Sequence, residues 1–162
     1  QGKPLYRHML DKLAGLGAFP RILVTGYEEI AEAAAAIGVC TVANHQPELG
    51  ISHSLKLGLE KCKSIEPEVK GVLFCVCDQP GLSTMMELIR RAVNRPGMIL
   101  ASAHGNRTGN PVLWDREYFS ELEKLSGDVG GRAVIEKHWE KCLCVETREE
   151  ELRDIDRRLD LF

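Results

Sequence analysis

No apolar run in this sequence approaches the roughly 18 residues that a membrane-spanning helix needs. There is no C-x-x-C pair, which argues against a zinc ribbon or a thioredoxin-like dithiol. No G-x-x-x-x-G-K-[ST] is present, so the chain is not a P-loop enzyme, and no G-x-S-x-G elbow supplies a hydrolase nucleophile. The five histidines (8, 45, 53, 104 and 138) show no metal-ligand spacing. Basic residues are not in excess: 21 Lys and Arg stand against 24 Asp and Glu, a net charge of −3, so the basic stripe of a nucleic-acid binder is missing. Repeats, low-complexity stretches and linkers are also lacking.

What remains is an ordinary globular composition, 44% hydrophobic and 28% charged, over 162 residues. That is one domain, large enough to bury a core without disulfide staples. Cys75 and Cys77, like Cys142 and Cys144, lie two apart in strand-like runs and read as small core hydrophobes. Reduced thiols and a start at Gln1-Gly2-Lys3-Pro4, without a signal peptide, make a cytoplasmic protein the expectation.

Apolar periodicity predicts a helix over 4–14, a strand at 22–24, a helix over 28–37, a strand at 39–43 and a helix over 51–62. The most apolar run, 71–77 (GVLFCVC), reads as a central strand buried on both faces. A helix follows over 84–94, with Thr84 and Glu87 as a capping box. Then come a strand at 98–103, a polar loop at 104–110, a short strand at 111–114, helices over 115–125 and 132–139, and a strand at 142–146. Strands alternating with helices predict a three-layer α/β fold: a mostly parallel, Rossmann-like sheet with helices on both faces. Ligands in such sheets bind beyond the carboxyl ends of the strands, which directs attention to the loops 44–54, 78–83 and 104–110.

Asp78 closes the apolar strand, where a carboxylate is held rigidly at the mouth of the sheet and suits a magnesium ion. Asn44, Gly50, Ser52 and Ser54 surround a helix start that could offer hydroxyls and N–H groups to a phosphate or ribose, or could simply be capped by serine. Arg107 in the 105–111 loop could clamp an anion, and the glycines of 127–131 would let a ligand approach the helix that Arg132 opens. Asp128 reads equally as the cap of that helix, and Asp156 as a second metal carboxylate or as tail charge.

Five stretches in register resemble the MobA-like nucleotidyltransferases, and within them the CTP:molybdopterin cytidylyltransferase branch. Gly2-Lys3-Pro4-Leu5 resembles the segment opening the family's first helix. Asn44 with Gly50-Ile51-Ser52-His53-Ser54-Leu55 and Gly58 resembles N…G-x-S-x-S-L…G. Val76-Cys77-Asp78-Gln79-Pro80 resembles the D-x-P strand end. Gly109-Asn110-Pro111-Val112-Leu113-Trp114 resembles G-x-P-V-L-F, and Leu125 to Arg132 resembles L-x-G-D-x-G-A-R. The resemblance implies the nucleotidyltransferase fold, with Asp78 binding catalytic Mg2+. Asn44, Gly50, Ser52 and Ser54 would hold the nucleotide. Gln79 and Pro80 complete the strand-end motif. Arg107, Asn110, Pro111, Gly127, Asp128, Gly130 and Arg132 would face the pterin. Asp154-Ile155-Asp156 resembles the closing D-I-D-T-P-E-D, making Asp156 the second metal ligand, although Arg157-Arg158 replaces Thr-Pro.

The family opens with a strand and the loop L-A-A-G-x-S-x-R-M-G-x-x-K, which wraps the triphosphate; the resemblance over these 162 residues starts after it. The expectation is a single domain lacking its first, central strand, which leaves a slot lined by unpaired backbone. The implied reaction is Mg-dependent transfer from CTP to the phosphate of molybdopterin, with pyrophosphate leaving. A molybdoenzyme apo-protein is an expected partner; nucleic acid and membranes are not. The alternatives are a GTP-using or other small-molecule nucleotidyltransferase, or a non-catalytic nucleotide or cofactor carrier.

Overall fold

The computed structural model describes residues 2–17, 19–79 and 84–155. The chain runs α1 (Leu5–Ala14), β1 (Ile22–Thr25), α2 (Glu28–Ala35), β2 (Cys40–Ala43), α3 (Ile51–Ile65), β3 (Gly71–Phe74), α4 (Met85–Ala92), β4 (Ile99–His104) and β5 (Arg107–Asp115). It continues α5 (Phe119–Leu122), α6 (Arg132–Lys137) and β6 (Cys142–Glu146), with 3-10 turns at Pro47–Leu49, Arg116–Tyr118, Trp139–Lys141 and Glu149–Leu152. Alanine-rich α2 follows from high intrinsic propensity, and Gly38, at φ 73°, turns the chain into β2.

The strands form two sheets. β1 pairs in parallel with β2, and a four-stranded sheet has the order β3-β5-β4-β6. In it β3, β4 and β6 run the same way, and only β5 is antiparallel to its neighbours. This is the expected α/β layering, with one correction. Residues 104–110 are not a free loop: Arg107 to Gly109 pair with His104 to Ser102, and the register slips past Asn110 and Pro111. Gly105, at φ 56°, makes the tight turn that this hairpin needs.

A second correction concerns the centre of the sheet. β4 is the fully buried strand from Ile99 to Ala103, whereas β3 is half-buried along its length and, among the described residues, has a strand partner on one side only. One face of the large sheet packs Ile99, Ala101, Val112 and Trp114 against α3, α5 and α6. The other packs Leu100, Leu113 and Val145 against Leu88 of α4. Each such side chain, fully buried, is worth about 1.5–3 kcal/mol. The capping box also gives way. Thr84 Oγ1 lies 3.0 Å from Ser102 Oγ instead of capping α4, and Glu87 binds Arg90 and Arg91.

Two helices bridge the sheets. α1 sends Leu10 into the core of the small sheet with Leu23, and Met9 towards Leu73 at the end of β3. On the opposite face α3 places Leu59 in the core of the large sheet, while Gly58 brings the helix backbone close to Val24. Among the described residues no ladder joins β1 to β3. Their facing edges border a cleft of about 1580 Å3 lined by Ile22 to Val24 on one side and Gly71 to Asp78 on the other. No described helix is long and apolar enough to cross a membrane.

Candidate active site

Asp78 lies in a turn just beyond β3, at the end of that cleft, with its Oδ1 buried. Its backbone carbonyl accepts a 3.0 Å hydrogen bond from Ile155 N–H. The next residue, Gln79, is buried, and its Nε2 donates to Asp154 Oδ1 at 2.6 Å. The chain after the Glu149–Leu152 turn is therefore strapped across the strand end, bringing the Asp154 carboxylate beside the Asp78–Gln79 pair. Pro80 and Asp156 lie outside the described residues.

Ser54, Asn110, Gly130 and Arg132 line the same cleft as Asp78. Asn44 stands behind Ser54: its Nδ2 donates to Ser54 Oγ at 3.0 Å, while its Oδ1 accepts from Gln46 N–H at 2.9 Å. Asn44 thus holds the 44–54 loop and α3 in one shape. Gly50 is at φ 80°, and a Cβ there would stand 2.5 Å from the Gly127 carbonyl. That contact presses the loop onto the Gly127–Asp128 backbone. Ser52 N–H donates to Gly127 O at 3.3 Å, and Ile51 N–H to Asp128 Oδ1 at 3.4 Å. Asp128 thereby approaches the start of α3 and not that of α6, and the first two N–H groups of α3 are already engaged. The free N–H groups expected at this helix start are occupied by protein, and the Ser52 side chain is buried.

Arg107 and Arg132 part company. Arg107 Nη2 donates to Leu152 O at 2.9 Å, holding the final turn, and the guanidinium borders a small recess with Glu149, Glu150 and Arg153. Arg132 is exposed at the cleft and pairs with Glu136 at 3.0 Å. Pro111 follows a cis peptide after Asn110, and its carbonyl accepts from Ser102 Oγ at 3.1 Å.

Two residues emerge only in three dimensions. Asp154 is one. Its motif was visible, but the Gln79 contact spans 75 residues. Lys12 is the other, on what reads as the polar side of α1. Burial lowers its pKa, partly offset by the Glu151 carboxylate beside it, and its charge reaches Cys75. Burial also pushes the Cys75 thiol up to about 12 and raises that of Cys77, to which the Asp78 charge adds.

Magnesium fits the donor set. Mg2+ prefers hard oxygen ligands and is commonly bound by one or two carboxylates plus substrate phosphates, not by an all-protein cage. The described residues offer the Asp78 oxygens with Asp154 close by, and no group of three or more His, Cys, Asp or Glu side chains that would make a closed cage.

The fold recurs in known structures. Rv0371c from Mycobacterium tuberculosis H37Rv superposes with a TM-score of 0.77 at 24% identity, over 99% of this chain and 82% of that one. Its manganese complex gives 0.75 at 23%, over 99% and 85%. A nucleotidyl transferase from Methanothermobacter, Mth528, gives 0.78 at 20%, over 99% and 78%. Molybdopterin-guanine dinucleotide biosynthesis protein A from Archaeoglobus fulgidus gives 0.63 at 14%, over 99% and 83%. No curated protein sequence matches the chain. A strand end carrying Asp78, glycine loops locked together around one cleft, and an α/β nucleotidyltransferase-like sheet agree with the match over residues 1–142: the chain belongs to the MobA-like NTP transferase domain family.

Proposed function

We propose that this domain transfers the cytidylyl group of CTP to the terminal phosphate of molybdopterin, with Mg2+ held at Asp78. The observation that carries the reading is the position of Asp78 at the strand end, in one cleft with Ser54, Asn110, Gly130 and Arg132. CTP over GTP rests on the sequence resemblance to the cytidylyltransferase branch. The likeness to a molybdopterin-guanine protein keeps GTP as the second reading. A divalent ion is supported by the manganese bound to Rv0371c, since Mn2+ and Mg2+ share oxygen ligands.

In this reaction a phosphate oxygen of the pterin attacks the α-phosphorus of CTP, and the bond to pyrophosphate breaks in line. The nucleophile is already an anion, so the protein needs no general base. Its task is positioning and charge neutralisation. Bound at Asp78, the metal would supply Lewis-acid charge on the phosphates. Asp156 is the proposed second ligand, two residues beyond the strapped Asp154. Asn44 and Ser54 would set the nucleotide side of the cleft. Gly50 and Ser52 would fix that loop against Gly127 and Asp128, which with Asn110, Pro111 and Gly130 would make the pterin side. Arg132 is the better placed phosphate clamp, because Arg107 is committed to Leu152.

The reading includes a first strand and glycine-rich loop ahead of Gly2. The cleft between β1 and β3 supports it: among the described residues neither facing edge has a strand partner there, and α1 and α3 cover the two faces. The test is pyrophosphate release by the full-length protein with CTP or GTP, molybdopterin and Mg2+. Turnover with CTP should fall at least 100-fold in Asp78→Asn, about 3 kcal/mol of transition-state stabilisation. Near-normal turnover in that variant would remove Asp78 from the chemistry, and faster turnover with GTP would replace the base.

A further inference from the structure

The pairing of β3 with β5 ends at Phe74, so the ladder does not reach Asp78. Two hydrogen bonds tie the turn that carries Asp78 to the far end of the chain. Ile155 N–H donates to the Asp78 carbonyl at 3.0 Å, and Gln79 Nε2 donates to Asp154 Oδ1 at 2.6 Å. The bonds are reciprocal, one running from tail to turn and one from turn to tail. The tail is anchored just upstream. Leu152 is buried, and its carbonyl accepts from Arg107 Nη2 at 2.9 Å. A Cβ on Gly109 would stand 3.0 Å from Leu152 Cδ2, so β5 lies tight against this anchor. Residues 153–155 form neither helix nor strand. Their place depends on the bonds they make.

Gln79 is 4% exposed, whereas Asp154 is exposed. A carboxylate only accepts, so the contact fixes the amide with its NH2 group towards Asp154. The amide oxygen, Oε1, is then buried with no hydrogen-bond partner among the described residues. An apolar side chain of similar size would fill the space without that cost. The glutamine is therefore better explained by its donor than by its bulk. Asp78 lines the cleft and Gln79 does not. Gln79 acts on the site through its neighbour and not by touching what the cleft holds.

We propose that Gln79 is a positioning residue: its bond to Asp154, with the reciprocal bond from Ile155, clamps the turn so that Asp78 presents its carboxylate to a divalent ion. The inference rests on the reading of Asp78 as the metal site and adds what holds it in place. Asp154 belongs to the clamp in this account, as the acceptor of the Gln79 amide and not as a metal ligand. Groups that orient a metal ligand from behind are typically worth about 10- to 100-fold in metal affinity.

The experiment is a titration of the full-length protein with Mn2+, the free ion counted by its EPR signal, beside metal-free melting curves. Gln79→Met removes the donor at similar size. Affinity should fall about 10- to 100-fold. The metal-free Tm should stay close to the parent value, because the exposed Asp154 regains water and the orphaned oxygen is gone. Asp154→Asn keeps an accepting oxygen and should bind Mn2+ nearly as the parent does. Gln79→Glu sets two acceptors against each other and should lose affinity. Adding Asp154→Asn to it restores a donor and an acceptor and should recover most of the loss, a coupling that independent sites would not show. Parent-like affinity in Gln79→Met overturns the proposal, as does a fall in Asp154→Asn equal to that in Gln79→Met, or no recovery in the double variant. Asp78→Asn separates the two readings. If it binds Mn2+ as the parent does, the metal reading of Asp78 fails and the clamp's role fails with it. If it loses the ion while Gln79→Met keeps it, only the clamp is refuted.

Discussion

At the scale of single residues, Gly50 carries more than its size implies. Its φ of 80° excludes most side chains, and a Cβ would meet the Gly127 carbonyl carbon and oxygen at 2.5 Å. Neither atom belongs to a flexible side chain, so the strain cannot relax locally. Gly50→Ala should cost about 2 kcal/mol or more in thermal or denaturant unfolding. A neutral substitution would mean that the two loops are not in contact in solution. Glu87 makes a separate prediction. Hydrogen bonds from Arg90 and Arg91 lower its carboxyl from 4.5 to about 2. A depressed carboxylate pKa contributes stability above the unfolded value, and that contribution is lost as pH falls from about 4.5 to about 2. Carboxyl NMR should place its midpoint near 2 and return it upward in the Arg90→Ala, Arg91→Ala double variant. Cysteines should separate by exposure. Cys144 is exposed, whereas burial pushes Cys75 up to about 12, so alkylation near neutral pH should mark Cys144 and spare Cys75.

At the scale of elements, two departures from the family's motifs fit each other. Trp114 stands where the G-x-P-V-L-F segment ends in Phe, and Gly131 where L-x-G-D-x-G-A-R has Ala. A Cβ on Gly131 would lie 2.4 Å from Cζ2 of the Trp114 indole. The larger ring of β5 therefore occupies the space of the missing methyl before α6. Gly131→Ala alone should destabilise by about 1–3 kcal/mol. Adding Trp114→Phe should recover part of that loss, a coupling of about 0.5–3 kcal/mol. Strict additivity would refute the pairing. Element order was largely legible in the sequence, because helical periodicity and apolar strands are local signals. Strand rank was not. GVLFCVC is more apolar than ILASAH, yet β4 is the more buried strand. Its Ser102 is buried without penalty because it bonds Pro111 O and Thr84 Oγ1, a satisfaction that hydropathy does not register. The 104–110 stretch hid its pairing because Arg107, Thr108 and Asn110 are polar strand residues facing the tail and the cleft.

At the scale of the whole molecule, α1 and α3 hold two sheets side by side across an apolar cleft, and the loops carrying Asp78, Asn110 and Gly130 line it. That Asp78 would line the cleft was legible from the apolar run before it, although β3 ends at Phe74 and Asp78 sits in the turn beyond. The contacts that shape the rest were not: Gln79 with Asp154, Arg107 with Leu152, and Gly50 with Gly127 join residues 45 to 77 positions apart. No local pattern encodes such pairings, and the same distance hid the approach of Lys12 to Cys75. On the proposed reading this cleft binds a nucleoside triphosphate through a divalent ion at Asp78. The measurement that tests it most directly is thermal unfolding with CTP, GTP and ATP, each with and without Mg2+, on the parent chain and on Asp78→Asn. Ligand at about 100 times its Kd should add roughly 2.7 kcal/mol. A nucleotide held through a metal at Asp78 predicts a magnesium-dependent rise in Tm, largest with CTP and lost in the variant. No magnesium-dependent rise with any nucleotide, or a rise that survives in Asp78→Asn, would contradict it.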